Sequence, residues 1–280
     1  MKPPPFDYVA PTSLDEALAA LADHGDEAKV LAGGQSLIPL MSLRLAHPTV
    51  LVDVNGVDEL KAIERVDGTL RIGAMVRHRA AERSKEVADA VPLIRAVMPL
   101  IGHVAIRSRG TVGGSLAHAD PAAELPAVAL ALGATFTVRS RARGERTIDA
   151  SDFFGGYFTT AIEPDEILTA IDFPVLEGGV AVEEVARRHG DFAMVGAVVA
   201  TPPGDTRIAL INVAERPVRA TAAEAALDQG AGLDEVAALV SRDIEPSADL
   251  HASAAYRKKV AGVCVKRALA KAMASEGSNT

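Results

Sequence analysis

Apolar residues along this chain alternate between a helical and an extended rhythm. Leu14, Ala17, Leu18 and Leu21 repeat at i, i+3, i+4 and i+7 behind Ser13-Leu14-Asp15-Glu16, which has capping-box spacing. Gly25 closes the helix they predict. Residues 29–32 read as a short buried strand entering Gly33-Gly34, and a second helix, about 37–45, follows at once. Residues 50–54 form another strand, stopped by Asn55-Gly56, and 69–73 alternate as a strand. Residues 80–100 are mainly helical, with breaks at Pro92 and Pro99. The stretch 111–117 reads as a glycine-broken strand or loop, and 121–132 as a helix with proline at its start.

Strands are expected near 134–139, 167–173, 180–186, 195–200 and 206–213. The pattern is interrupted between Pro174 and Gly179, which predicts a domain boundary and a division into residues 1–176 and 177–280. Beyond it, helices are expected at 221–229 and 233–241, with a long terminal helix from about Ser253. Tyr256, Val260, Val263 and Cys264 are expected on one face of that last helix, making Cys264 a core residue.

Composition narrows the function. With 280 residues, 49% apolar and 24% charged, the chain has the balance of a globular protein. Its net charge of −8 and its lack of a long basic run argue against nucleic acid as a partner. The densest basic stretch, Arg139 to Arg146, reads as a solvated turn between β segments. No apolar run approaches the roughly 20 residues of a membrane span. The opening MKPPPFDYVA has no apolar leader core, so a cytoplasmic location is expected. One cysteine, Cys264, allows no internal disulfide and no cysteine-held iron–sulfur cluster within the chain.

Two local features carry chemistry. In Leu31-Ala32-Gly33-Gly34-Gln35-Ser36 a strand feeds a double-glycine turn that feeds a helix, a form suited to phosphate oxygens. Thr111-Val112-Gly113-Gly114-Ser115 repeats that chemistry, with a hydroxyl again following two glycines. Two such turns can grip the two phosphates of a dinucleotide. Asp120 and Glu124 follow within ten residues and offer acceptors for ribose hydroxyls or an adenine amine. No Rossmann fingerprint, P-loop or zinc-binding H-E-x-x-H is present, and the turn Gly34-Gln35-Ser36-Leu37-Ile38 lacks the second glycine of a nucleophile elbow. From the residues alone, the reading is a dinucleotide binder without a Rossmann motif.

At these residues the sequence resembles a known family. AGGQSLIPLMSLRL (32–45) and IRSRGTVGGSLAHADPAAELPA (106–127) are similar to blocks of the FAD-binding medium subunit of molybdenum hydroxylases. That family includes flavoprotein subunits of carbon monoxide, xanthine, nicotinate and caffeine dehydrogenases. FFGGYFTTAIEPDEILTAIDFP (153–174), RRHGDFAMVGAVV (187–199) and SAAYRKKVAGVCVKRAL (253–269) resemble later blocks in the same order. The resemblance implies an α+β fold: a vanillyl-alcohol-oxidase-type (PCMH-type) FAD domain in two subdomains, then a smaller C-terminal α+β domain. It implies that backbone groups of Ala32, Gly33, Gly34, Gln35 and Ser36, and of Thr111, Val112, Gly113, Gly114 and Ser115, hold the FAD pyrophosphate. By the same resemblance Glu124, with Asp120 close by, contacts the nucleotide, and Ile101 and Leu168 pack beside the cofactor.

Two departures stand out. Relatives often read I-R-N where this chain has Ile106-Arg107-Ser108, and xanthine-dehydrogenase-like relatives carry lysine near the flavin where Glu183 stands. A lysine favours anionic reduced flavin, and a glutamate does not. In the family's division of labour a large subunit holds the molybdenum cofactor and a small subunit the iron–sulfur clusters. The implied function is electron transfer from those clusters through FAD to an external acceptor, with no catalytic side chain on this chain. A self-sufficient FAD-dependent oxidoreductase of the same fold is the alternative, but no block supplies the base it needs. A nucleotide-binding assembly protein without FAD is a third, and the intact glycines of both turns argue against it.

Overall fold

The computed structural model describes residues 2–276. Its first unit runs β1 (Asp7–Val9), α1 (Leu14–His24), β2 (Ala28–Leu31), α2 (Leu37–Ser42) and β3 (Val50–Asp53). The strands form a parallel sheet in the order β1-β3-β2, with Asp7 and Ala28 both opposite Val50. Ser13 caps α1 by accepting from the Glu16 N–H, while the Glu16 carboxylate reaches back to the Thr12 N–H at 2.9 Å. Leu14, Ala17, Leu18 and Leu21 then lie buried against β2 and β3, as their spacing predicts. The next helix stops at Ser42, three residues short of expectation, because Arg44 adopts a left-handed backbone with φ 62°.

The second unit is built on an antiparallel five-stranded sheet. It opens with β4 (Ile63–Val66) and β5 (Thr69–Gly73), followed by α3 (His78–Arg83), α4 (Lys85–Ala90), α5 (Pro92–Val97), α6 (Val104–Arg107), α7 (Val112–His118) and α8 (Glu124–Leu132). The chain continues through β6 (Thr135–Ser140), β7 (Gly144–Asp149), α9 (Ala150–Phe153), the ribbon β8 (Phe154–Gly156) with β9 (Thr159–Thr160), and β10 (Glu166–Pro174). The sheet order is β4-β5-β10-β6-β7, and a bulge interrupts β10 between Leu168 and Ala170. Phe136 stacks on Phe153 with ring centroids 3.6 Å apart, at the centre of a core shared with α5, α7 and α8.

Three expectations change here. Residues 111–117 were expected as a broken strand or loop, but Val112–His118 is a helix, capped by the Thr111 hydroxyl, which accepts from the Gly114 N–H at 3.0 Å. The following helix begins at Glu124 rather than Pro121, because the Asp120 carboxylate accepts the Ala122 N–H and holds 120–123 in a turn. The basic stretch does turn at 141–143, yet its arginines are engaged: Arg143 pairs with Asp165 at 2.5 Å and Arg146 with buried Glu166 at 2.7 Å.

The C-terminal unit contains β11 (Gly179–Val185), β12 (Val195–Thr201), β13 (Arg207–Ile211), β14 (Val218–Arg219), α10 (Thr221–Asp228), α11 (Leu233–Leu239) and α12 (Ala254–Glu276). Its antiparallel sheet, β11-β12-β13-β14, is covered on both faces. Val198, Ala200, Ala209 and Ile211 join the core of the second unit, while Val195, Ala197, Val199 and Leu210 pack toward α12. Every residue of β12 is buried, which explains why it reads as a continuous apolar run. Cys264 is buried as expected. However, Tyr256 and Val263 are exposed, and the inward face of α12 is Ala261, Cys264, Val265, Ala268, Leu269 and Ala272. No helix among the described residues is long and apolar enough to cross a membrane.

Candidate functional site

The two glycine turns leave different sheets and meet. The first follows β2 and enters α2; the second precedes α7 in the other unit. A Cβ on Gly33 would lie 2.4 Å from the Arg109 carbonyl oxygen and 2.8 Å from the Gly110 Cα. One on Gly114 would stand 3.4 Å from the Ala32 Cβ and 2.6 Å from the Thr111 hydroxyl, and one on Gly113 would strike Ala74 at 2.4 Å. Gly34 has φ +73°, a conformation that favours glycine. The glycines therefore serve the packing of turn on turn and of turn on Ala74, the residue after β5, with the positive φ of Gly34 bending the chain between strand and helix.

The turns differ in what their backbone offers. The N–H groups of Gly33, Gly34, Gln35 and Ser36 have no acceptor among the described residues, and the Ser36 hydroxyl makes no cap bond. In the second turn the N–H groups are occupied. Val112 donates to the Val76 carbonyl, Gly113 to Ala74, Gly114 to the Thr111 hydroxyl and Ser115 to the Thr111 carbonyl. These bonds hold the start of the helix, and the half-buried Ser115 hydroxyl lies beside them.

Beneath the second turn, the Ala74 N–H bonds to the Thr169 carbonyl at the bulge of β10, and Leu168, the residue before it, is buried in the core of this unit. Ile101 follows a short turn at Met98–Leu100 and is half-buried. Its carbonyl accepts from Arg107, a buried guanidinium that also bonds the Gly102 carbonyl at 3.0 Å and Glu82 at 3.0 Å. Ser108, by contrast, is exposed and donates to the Val104 carbonyl, so the departure from I-R-N lies at the surface. His78 is buried against Gly110, and burial pushes its imidazole down to about 4.

Asp120 and Glu124 complete the run that begins at Thr111. Glu124 is 5% exposed at the start of α8, and burial, with the Glu184 and Asp120 carboxylates nearby, pushes it up to about 8. Burial alone raises Glu184 to about 7. The neighbouring glutamate behaves differently. Glu183 pairs with Lys271 on α12, and alternation along β11 turns it away from the face that carries Glu184. Glu184 is the residue of this strand that approaches Glu124.

Comparison with known proteins identifies the arrangement. The family model for the FAD-binding domain in molybdopterin dehydrogenase matches residues 4–176, and that for the CO dehydrogenase flavoprotein C-terminal domain matches 180–272. The chain belongs to the FAD-binding flavoprotein subunits of the molybdenum hydroxylases. It is 42% identical to caffeine dehydrogenase subunit beta of Pseudomonas sp. strain CBB1, over 97% of this chain and 96% of that one. It is 38% identical to the carbon monoxide dehydrogenase medium chain of Hydrogenophaga pseudoflava, over 96% and 97%. A solved structure of carbon monoxide dehydrogenase from Hydrogenophaga pseudoflava superimposes with a TM-score of 0.93 at 40% identity, covering 98% of this chain and 99% of that one. Quinoline 2-oxidoreductase from Pseudomonas putida 86 gives 0.92 at 39% identity, covering 99% of each.

A flavoprotein subunit of this family binds FAD, and the residues present suit it. Four consecutive free N–H groups at the first turn match the needs of a pyrophosphate, and side-chain-free backbone brings the second turn alongside. Sequence reasoning met Arg107 only within the Ile106-Arg107-Ser108 departure, and missed Asn55, Arg77 and His78 around these turns. Asn55-Gly56 registered only as a strand stop, and no local pattern marks the others.

Proposed function

We propose that this chain is the electron-transfer subunit of a molybdenum-dependent hydroxylase or dehydrogenase, with FAD held where the two turns converge. The observation that carries the reading is that convergence: Gly33 packs on the Arg109–Gly110 backbone while the N–H groups of 33–36 stay free. In this reading the Gly33–Ser36 donors and the Ser36 and Ser115 hydroxyls take the pyrophosphate. Thr111, Val112, Gly113 and Gly114 shape the second wall, Asp120 and Glu124 face the nucleotide, and Ile101 and Leu168 border the flavin. Bound FAD supplies the redox chemistry, accepting electrons singly and releasing them singly or in pairs. The protein's own part is binding, orientation and exclusion of water, and no side chain here removes a proton from an organic substrate.

The partners proposed are a molybdenum-cofactor large subunit, an iron–sulfur small subunit and an external electron acceptor. Family membership and near full-length similarity to a carbon monoxide dehydrogenase medium chain support them. A division into residues 1–176 and 177–280 and a cytoplasmic location belong to the same proposal. Co-expression with candidate large and small subunits tests it. A complex in which added substrate reduces the flavin supports the reading, and a flavin in this chain that turns over an organic substrate without partners refutes it.

A further inference from the structure

One polar network joins the two turns. The Asn55 side-chain amide donates to the Ala32 carbonyl at 2.8 Å, in the first turn, and also to the Asp53 carboxylate. Its oxygen accepts from Arg77 Nη2 at 2.5 Å, and Arg77 Nη1 donates to the Arg109 carbonyl, directly before the second turn. That Arg109 carbonyl is the atom nearest to where a Gly33 Cβ would stand. The Tyr8 hydroxyl, donating to Asp53, anchors the far end of the network on β1.

The two residues come from different units. Asn55 lies just after β3 of the parallel sheet, and Arg77 is the residue before α3, after β5 of the antiparallel one. Arg77 is also bridged across the backbone to Thr111. Turn 32–36 and turn 109–115 are thus tied through two side chains as well as through van der Waals contact. A planar guanidinium with two donors in fixed geometry sets a distance more firmly than contact alone.

We infer that Asn55 and Arg77 are positioning residues for the cofactor site, a relay that fixes the spacing of the two glycine turns across the unit boundary. The inference rests on the FAD reading above. Neither residue needs to touch the cofactor. Their work is to hold the free N–H groups of 33–36 at a set separation from the second turn, so that the site is formed before ligand arrives.

FAD titration of the full chain, followed by flavin fluorescence, tests this with Asn55→Asp, Arg77→Gln and the double variant. Asn55→Asp keeps the shape and removes the donor to Ala32. Each single change is expected to weaken FAD binding about tenfold, the scale of one lost charge-assisted bond. The double variant is expected to be no weaker than the worse single one, because a relay broken once is already broken. Unfolding midpoints without FAD are expected to stay near wild type, which a merely structural role would not allow. Wild type that takes up no FAD, either alone or in complex with the large and small subunits, would refute the cofactor reading, and the inference with it. If wild type binds, then variants within twofold of it, losses that multiply, or a collapse of ligand-free stability in every variant would each overturn the relay.

Discussion

Gly33→Ala puts the convergence of the turns to a quantitative test. The added methyl would sit 2.4 Å from the Arg109 carbonyl oxygen and 2.8 Å from the Gly110 Cα, and both are backbone atoms. The turns must separate by about 0.6 Å before the nearer contact reaches even the 3.0 Å floor of real Cβ contacts. Overpacking of this kind costs about 1–3 kcal/mol. Displacement of the first turn also moves its four free N–H groups relative to the second, so FAD affinity is expected to fall about tenfold or more. Gly232→Ala is the control, since its Cβ would meet nothing within 4 Å, and as a change at the N-cap of α11 it is expected to stay within about 1 kcal/mol of wild type with FAD affinity unchanged. Flavin-fluorescence titration and thermal unfolding of both variants provide the readouts. A Gly33→Ala chain with wild-type affinity and melting would refute the packing argument.

Three further outcomes follow from the same geometry. Thr111→Val removes the acceptor for the Gly114 N–H, and urea unfolding should show a loss of about 1 kcal/mol, typical of a lost N-cap. Arg107→Leu takes the donor from the half-buried Ile101 and Gly102 carbonyls; a loss of about 1–3 kcal/mol is expected, with faster amide hydrogen exchange around residues 101–103. Glu124 has a folded-state pKa of about 8, above its ordinary value, so the stability tied to its proton is full at acid pH and is lost as pH rises toward about 8. Glu124→Gln should remove that decline, leaving the ligand-free variant more stable than wild type at pH 9 by on the order of 5 kcal/mol. Equal slopes for the two proteins between pH 5 and 9 would overturn the burial argument.

Much of this architecture was legible in residue order because its signals are local. The Ser13 cap, the 14–21 periodicity and the unbroken apolar run of β12 each report one element's own surroundings. Failures came where distant contacts decide. Two glycines argued against a helix at 112–118, yet the Thr111 cap and the close approach of Gly113 to Ala74 outweigh their propensity. Short strands such as β1 and β8, three residues each, are too brief to show alternation. At the site, both turns were visible, but not that they touch, nor that the N–H groups of the second are already bonded. Asn55 and Arg77 lie 22 residues apart, so nothing in residue order connects them.

The most direct measurement is the flavin content of the purified chain, taken alone with added FAD and again in complex with the large and small subunits. One FAD per chain, lost in a chain carrying Gly33→Ala together with Arg77→Gln, is the result the account predicts. A folded wild-type chain that holds no flavin in either state would contradict it.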